Sequence, residues 1–256
     1  MDSNSKAQIT FNPDNAGITL PGADQAVLCL HGFTATPQTF SELARAIHQQ
    51  TSFHTIAPLL PGHGTVYTDL DEITYKDWIT FAQEQYQKLL QSFSQIHLVG
   101  LSMGATLCQI LSQKYPATTQ SISMMAPALR LSSTIDQLRM HIMQYFPQHL
   151  LAKIIKQKKE SLPGYVSYSQ YSVAAVKAAF VLFRYCEKNL QPSHIPCLIQ
   201  TAENDPVIDP YSSKKIATYY TNIKQVTYPE TPHVMVFAKN KQQVFDRIIS
   251  HIEAYK

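Results

Sequence analysis

The chain has 256 residues, 45% apolar and 15% charged, with 21 basic against 18 acidic side chains and a net charge of +3. That composition excludes a disordered polymer and a collagen-like repeat, and the mild basic excess falls short of the concentrated positive face that nucleic-acid binding requires. The length suits a single alternating helix–strand domain over residues 1–256; no apolar run reaches the roughly 18 residues of a membrane span, and MDSNSKAQIT lacks a signal-peptide core, so a soluble cytoplasmic protein is expected.

The first clear strand is Gln25–Leu30 (QAVLCL), followed by a helix over Thr39–Gln50 whose Phe40, Leu43, Ala44 and Ile47 share one face. The strand His54–Ala57 comes next. A helix over Tyr75–Phe93 then places Trp78, Phe81, Ala82 and Tyr86 together. Gln95–Val99 is a strand, Met103–Lys114 a helix and Ser121–Met125 a strand. Between about Leu129 and His194 the alternation stops. Leu138, Ile142 and Tyr145, then Leu151, Ile154 and Ile155, then Val173 to Leu182 follow a helical pattern without a convincing strand. This stretch reads as a helical cap inserted over the sheet. Ile195–Gln200 and Gln225–Tyr228 resume the strands, with Pro196 tolerated at a strand start, and Lys241–Tyr255 closes the chain as an amphipathic helix. Several strands are apolar on both faces, which predicts an α/β fold with a mostly parallel sheet covered by helices on both sides. The four cysteines, Cys29, Cys108, Cys186 and Cys197, form no CxxC pair and read as buried free thiols.

The chemical signal is Gly100-Leu101-Ser102-Met103-Gly104. In a chain with 20 serines and 8 glycines a GxSxG match arises by chance about 0.02 times. It also sits where such a motif has mechanical meaning, between a strand and a helix, where a sharp turn exposes the serine oxygen at the sheet's carboxyl edge. Serine needs a base, and the base an orienting carboxylate. Strand–helix hydrolases order these as Ser, acid, His. His31, His48, His54, His63 and His97 precede Ser102; His141, His149 and His194 lie in or beside the insertion; His251 is inside the last helix. His233 remains, in a loop between the last strand and the last helix. Glu203, Asp205 and Asp209 compete as the acid. Asp205 lies a few residues past a strand end, Asp209 precedes Pro210 as a helix cap would, and Glu203 reads as orienting the loop. Two backbone N–H groups, of Phe33 after His31-Gly32 and of Met103 at the helix start, are placed to bind an oxyanion. Gly62-His63-Gly64 reads as a loop shaping the rim of the site; no neighbouring His, Asp or Glu has ligand spacing that would make His63 a metal ligand.

LCLHGF, APLLPGHGT, LVGLSMGA, NDPVIDP and TPHV resemble the α/β-hydrolase superfamily and, more narrowly, its bacterial carboxylesterase and monoacylglycerol-lipase group. The likeness covers nearly the whole chain outside Leu129–His194. In that family D-x-[VI]-[VI]-x-P carries the triad acid at its first residue, which falls on Asp205, and the oxyanion donors fall on the amides of Phe33 and Met103. The resemblance implies hydrolysis of carboxylic esters, short- to medium-chain acyl esters or monoacylglycerols, without metal or organic cofactor. The loop is HGF, not the HGGG of another esterase branch.

A thioesterase, an amidase or an acyltransferase would use the same triad. A dehalogenase or epoxide hydrolase would carry aspartate where Ser102 stands. A non-catalytic receptor on this scaffold would keep all three residues. The apolar cap faces are expected to build the acyl pocket. Lys153, Lys156, Lys158 and Lys159 read as a solvated helix face, with transient contact to an anionic lipid surface as the other reading.

Overall fold

Alternating side chains along the second strand set the layering of the molecule. The computed structural model describes residues 16–134, 137–138, 142, 145, 154–156, 162 and 164–256. The chain opens with a short strand β1 (Ile18–Leu20) and then β2 (Ala23–Leu30), where Ala26, Leu28 and Leu30 join one buried cluster while Val27 and Cys29 join another. That two-residue period is what a sheet buried on both faces requires. After α1 (Ser41–Thr51) and β3 (Phe53–Ala57), α2 (Tyr75–Leu90) begins where Asp77 accepts a hydrogen bond from the Thr74 amide at 2.8 Å. β4 (Ile96–Leu101), α3 (Met103–Lys114) and β5 (Thr119–Met125) follow. Beyond them come β6 (Ile154–Lys156), β7 (Gln170–Ser172), α4 (Val173–Lys188), β8 (Cys197–Ala202), α5 (Tyr211–Ala217), β9 (Ile223–Tyr228) and α6 (Lys241–Glu253).

Seven strands form one sheet in the order β1-β3-β2-β4-β5-β8-β9, parallel except for β1, which pairs antiparallel with β3 at the edge. Helices α1 and α6 cover one face through Leu43, Ala44 and Ile47 and through Val244, Phe245, Ile248 and Ile252. Helices α2, α3 and α4 cover the other, with Trp78, Tyr86, Leu107, Leu111, Leu182 and Phe183 in the core. From β2 the chain winds out to β3 on one side and returns to β4 on the other. The loops leaving the carboxyl ends of β2 and β4 therefore diverge, and the crevice between them is where open α/β sheets place their sites. Both loops carry residues singled out by sequence.

The stretch between β5 and β8 keeps the expected helix over Val173 to Leu182, as α4, and departs from the helical expectation at Ile154 and Ile155. Ile154 and Ile155 lie in a strand, because β6 and β7 pair as an antiparallel ribbon with Ile154 opposite Ser172. Helix α4 belongs to the layer flanking the sheet, where Ala175, Ala178, Ala179, Leu182 and Cys186 join the core. It is the crossover that a parallel sheet needs between β5 and β8. Leu138, Ile142 and Tyr145 are exposed, at 63%, 56% and 84%, so their spacing does not serve the sheet's core. Leu151, Lys153, Lys158, Lys159, His141 and His149, and the side chain of Lys156, lie outside the described residues. All four cysteines are buried and free.

Candidate active site

Ser102 occupies the turn between β4 and α3 with φ 55° and ψ −117°. A serine at positive φ is strained, of order 1–3 kcal/mol. The turn is held by the Ser102 amide donating to Met125 O at 2.8 Å and by Ser102 O accepting from the Thr106 amide at 3.1 Å. The flanking glycines are required by close approach. A Cβ at Gly104 would lie 1.8 Å from Leu30 O, and one at Gly100 would lie 2.5 Å from Ala105 Cα. The start of α3 therefore abuts the end of β2, which brings the serine turn against the His31-Gly32-Phe33 loop. A Cβ added at Gly32 would sit 3.4 Å from the Ser102 Cβ.

Asp205 and His233 approach from the other side. Asp205 follows β8 and His233 follows β9, both at the carboxyl edge, because β4, β5, β8 and β9 run parallel and end together. The His233 Nδ1–H donates to Asp205 Oδ2 at 2.7 Å, while Asp205 Oδ1 accepts from the amides of Val207 at 2.8 Å and Ile208 at 3.0 Å. Burial pushes the Asp205 carboxyl up, but the His233 hydrogen bond and charge, with the Ile208 and Val207 amides, outweigh it and hold the group below the ordinary carboxylate value. The carboxylate fixes the imidazole with its proton on Nδ1 and leaves Nε2 as the free base. Among the described residues no hydrogen bond joins Ser102 to His233. Catalytic hydrogen bonds are often long until substrate binds.

The competing acids are elsewhere engaged. Asp209 Oδ1 accepts from the Tyr211 amide at 2.8 Å, a cap at the start of α5. Glu203 is exposed, its amide donating to Tyr228 O at 2.9 Å. Segment 130–132 crosses beside the acid loop, with Ser132 N donating to Val207 O at 2.9 Å and Asp209 N to Arg130 O at 3.0 Å. Among the described residues neither the Phe33 nor the Met103 amide has a protein acceptor. Two donors thus lie on the two loops that converge at Ser102.

A sequence profile described as the alpha/beta hydrolase family matches residues 27–247. The chain belongs to that family. Over 90 residues, 35% of this chain, it is 40% identical to a thermostable monoacylglycerol lipase from Bacillus sp. (strain H-257), a match spanning 36% of that enzyme's length. Over 240 residues it is 24% identical to a carboxylesterase from Bacillus subtilis (strain 168), covering 92% of this chain and 95% of the relative. Among solved structures, one of the metagenome-derived lipolytic enzymes LipS and LipT superposes with a TM-score of 0.84 at 22% identity, covering 94% and 98% of the two chains. A monoglyceride lipase from Saccharomyces cerevisiae superposes with a TM-score of 0.75 at 14% identity, covering 94% of this chain and 91% of that one. These structural likenesses establish the fold.

His31, before the Gly32-Phe33 loop, and His63, in the loop expected at the rim, are both buried. His31 Nε2 accepts from the Leu60 amide and His63 Nε2 from the Thr34 amide, each at 3.1 Å. Burial, helped by the neighbouring ring of His63, holds His31 well below 6.5, and burial takes His63 down to about 4. With both His63 nitrogens engaged, Nδ1 against Pro61 O at 3.0 Å, neither is free for a metal. Among the described residues no group of three His, Cys, Asp or Glu side chains could hold one. The signal that could have placed these rings is that each stands beside a glycine in the loop after a strand, His31 directly after β2 and His63 six residues after β3. A cleft of about 550 Å³ lies at the opposite edge of the sheet, lined by Pro116, Thr119, Gln191, His194 and Tyr255 among others. A small cavity of about 10 Å³ adjoins Asp205. Among the described residues no helix is long and apolar enough to cross a membrane.

Proposed function

We propose that this alpha/beta hydrolase cleaves carboxylic esters, with monoacylglycerols and short- to medium-chain acyl esters as its substrate class, through an acyl-enzyme on Ser102, His233 and Asp205. The observation that carries the reading is the 2.7 Å bond between His233 and Asp205 on loops that end at the same sheet edge as the strained Ser102 turn. Ser102 Oγ attacks the ester carbonyl as His233 Nε2 takes its proton. The charge that develops on the carbonyl oxygen is met by the Phe33 and Met103 amides, each worth roughly 2.7–4 kcal/mol by comparison with oxyanion donors elsewhere. Asp205 stabilises the imidazolium and keeps its tautomer. His233 then protonates the departing alcohol, and a water deprotonated by the same imidazole releases the acid and restores the serine. Lipases and a carboxylesterase among the relatives support the ester class. The exposed Leu138, Ile142 and Tyr145, with the basic run Lys153–Lys159, are the elements by which the cap would touch a lipid surface.

The test is labelling of purified protein by a fluorophosphonate, its loss in Ser102→Ala, and turnover of a chain-length series of p-nitrophenyl esters and monoacylglycerols beside acyl-thioesters and anilides. Ester turnover that vanishes with Ser102 is expected. Absence of labelling would favour a receptor, and preferred turnover of thioesters or anilides would move the substrate class.

A further inference from the structure

Thr34, the residue after Phe33, has φ +65°. β-Branched residues seldom adopt that left-handed conformation, and it persists only where the surroundings over-determine it. Here two distant segments hold it. The Thr34 N–H donates to His63 Nε2 at 3.1 Å, and the Thr34 carbonyl accepts from the Tyr168 amide at 3.0 Å. His63 is fixed in turn. Its Nδ1–H is directed at Pro61 O, and its ring stacks on Tyr168 with centroids 6.4 Å apart. The Tyr168 hydroxyl donates to Gly62 O and accepts from the Thr65 amide, both at 3.0 Å, so the loop bearing His63 is tied down on either side of the ring.

The preceding peptide is held as firmly. Gly32 O accepts from the Ala35 amide at 3.2 Å and from His31 Nδ1 at 3.0 Å. Carbonyl and N–H of a trans peptide point in opposite directions. Fixing Gly32 O therefore aims the Phe33 N–H away from His31, on the loop that abuts Ser102. Two successive peptide planes are thus locked by two neighbouring imidazoles, whose ring centroids are 5.0 Å apart.

We propose that His63 is a positioning residue for the Phe33 amide: its Nε2 lone pair holds the Thr34 N–H, keeps Thr34 left-handed and so orients the oxyanion donor one residue earlier. The inference rests on the oxyanion role given above to Phe33. His63 touches no reacting atom, and its effect is exerted through the backbone. Burial keeps the ring neutral, so that Nε2 remains an acceptor at physiological pH.

Two substitutions separate the ring's two bonds. In His63→Gln the side-chain oxygen reaches the place of Nε2 and can still accept from Thr34. In His63→Asn the side-chain amide reaches only the place of Nδ1 and can still donate to Pro61 O. Steady-state hydrolysis of p-nitrophenyl butyrate should show Asn losing about 100-fold in kcat, with KM within about threefold, and Gln staying within about fivefold of wild type. Affinity for an alkylboronic acid, which mimics the tetrahedral intermediate, should fall in Asn in parallel with kcat. Equal kcat losses in the two variants, or a loss carried by KM, would overturn the proposal. Should the Asn variant fail to fold, Tyr168→Phe carries the test by removing the hydroxyl that holds Gly62 and Thr65. It should lower kcat about tenfold at constant KM, and an unchanged kcat overturns the role. A wild-type protein unreactive toward fluorophosphonate defeats both this inference and the ester-hydrolase reading. A reactive wild type whose Asn and Gln variants behave alike defeats the inference alone.

Discussion

Replacing Asp205 by asparagine keeps the side chain's shape and changes one atom from acceptor to donor, which makes it the sharpest test of the acid. Asp205 Oδ1 is held by two backbone amides, at 2.8 and 3.0 Å, and Oδ2 by His233 Nδ1 at 2.7 Å. An asparagine that keeps its oxygen toward Val207 and Ile208 turns its NH₂ toward His233. The imidazole must then accept at Nδ1 and carry its proton on Nε2, where it can no longer take the proton of Ser102. The reversed asparagine would aim its NH₂ at two amide N–H groups, setting donor against donor and forfeiting both hydrogen bonds, at roughly 0.5–1.5 kcal/mol each. The structure therefore locks the amide in the orientation that selects the wrong tautomer. In serine triads generally that error lowers kcat about 10⁴-fold, or about 5.4 kcal/mol at 1.36 kcal/mol per decade. Asp209→Asn should stay within about twofold, because asparagine caps a helix as well as aspartate does and the bond to the Tyr211 amide survives. The assay is p-nitrophenyl butyrate hydrolysis by both variants beside their melting temperatures. An Asp205→Asn enzyme within tenfold of wild type, or a larger loss in Asp209→Asn, would rule out Asp205 as the triad acid.

Other consequences follow from the same geometry. Ser102→Ala should lose fluorophosphonate labelling with little change in melting temperature, whereas Ser102→Gly, equally inactive, should melt higher than the alanine variant. Release of roughly 1–3 kcal/mol of positive-φ strain exceeds the roughly 0.5–1 kcal/mol entropic cost of glycine, and a lower-melting glycine variant would contradict the strain. Gly104→Ala places a methyl 1.8 Å from Leu30 O; soluble yield or urea unfolding should register a loss of about 3–5 kcal/mol. Stability should also fall in acid. Burial holds His97 down to about 3 and His63 and His251 to about 4, so the unfolded chain binds protons below about 6.5 that the folded chain does not. Each such group contributes stability that is complete above its unfolded value and is lost at up to about 1.4 kcal/mol per pH unit as pH falls toward its folded one. A urea midpoint unchanged between pH 6.5 and 4.5 would show that these rings are not buried neutral.

The sheet was legible because its strands must be apolar on both faces, and runs such as QAVLCL and QIHLV have no other comfortable place. β1 was not. Three residues with one exposed between two half-buried carry too little pattern, and the strand exists because β3 offers it an edge. The antiparallel pairing of β6 with β7 is likewise a long-range bond between short segments, invisible to local periodicity. Helix α4 was recognised as a helix, but its pattern of buried small residues could not tell a cap from a flanking layer. Packing against α2 and α3 decided that. Leu138, Ile142 and Tyr145 show the converse, since helical spacing states which residues share a face and not what the face meets.

At the site, the amino-acid order by itself specified the sharp turn at Ser102. GxSxG between a strand and a helix is a local constraint, and its glycines are demanded by atoms only a few residues away or on the adjoining strand. It also named His233 and ranked Asp205 over Asp209, on chain order and on the neighbouring proline. The tertiary structure decided what each carboxylate does, because Asp205 and Asp209 differ in which distant donor reaches them, an imidazole in one case and a helix amide in the other. It alone revealed the paired histidines behind the Phe33 loop. His31 and His63 lie 32 positions apart and become neighbours only when β2 and β3 lie side by side in the sheet, a closeness created by strand pairing and absent from any local window of sequence.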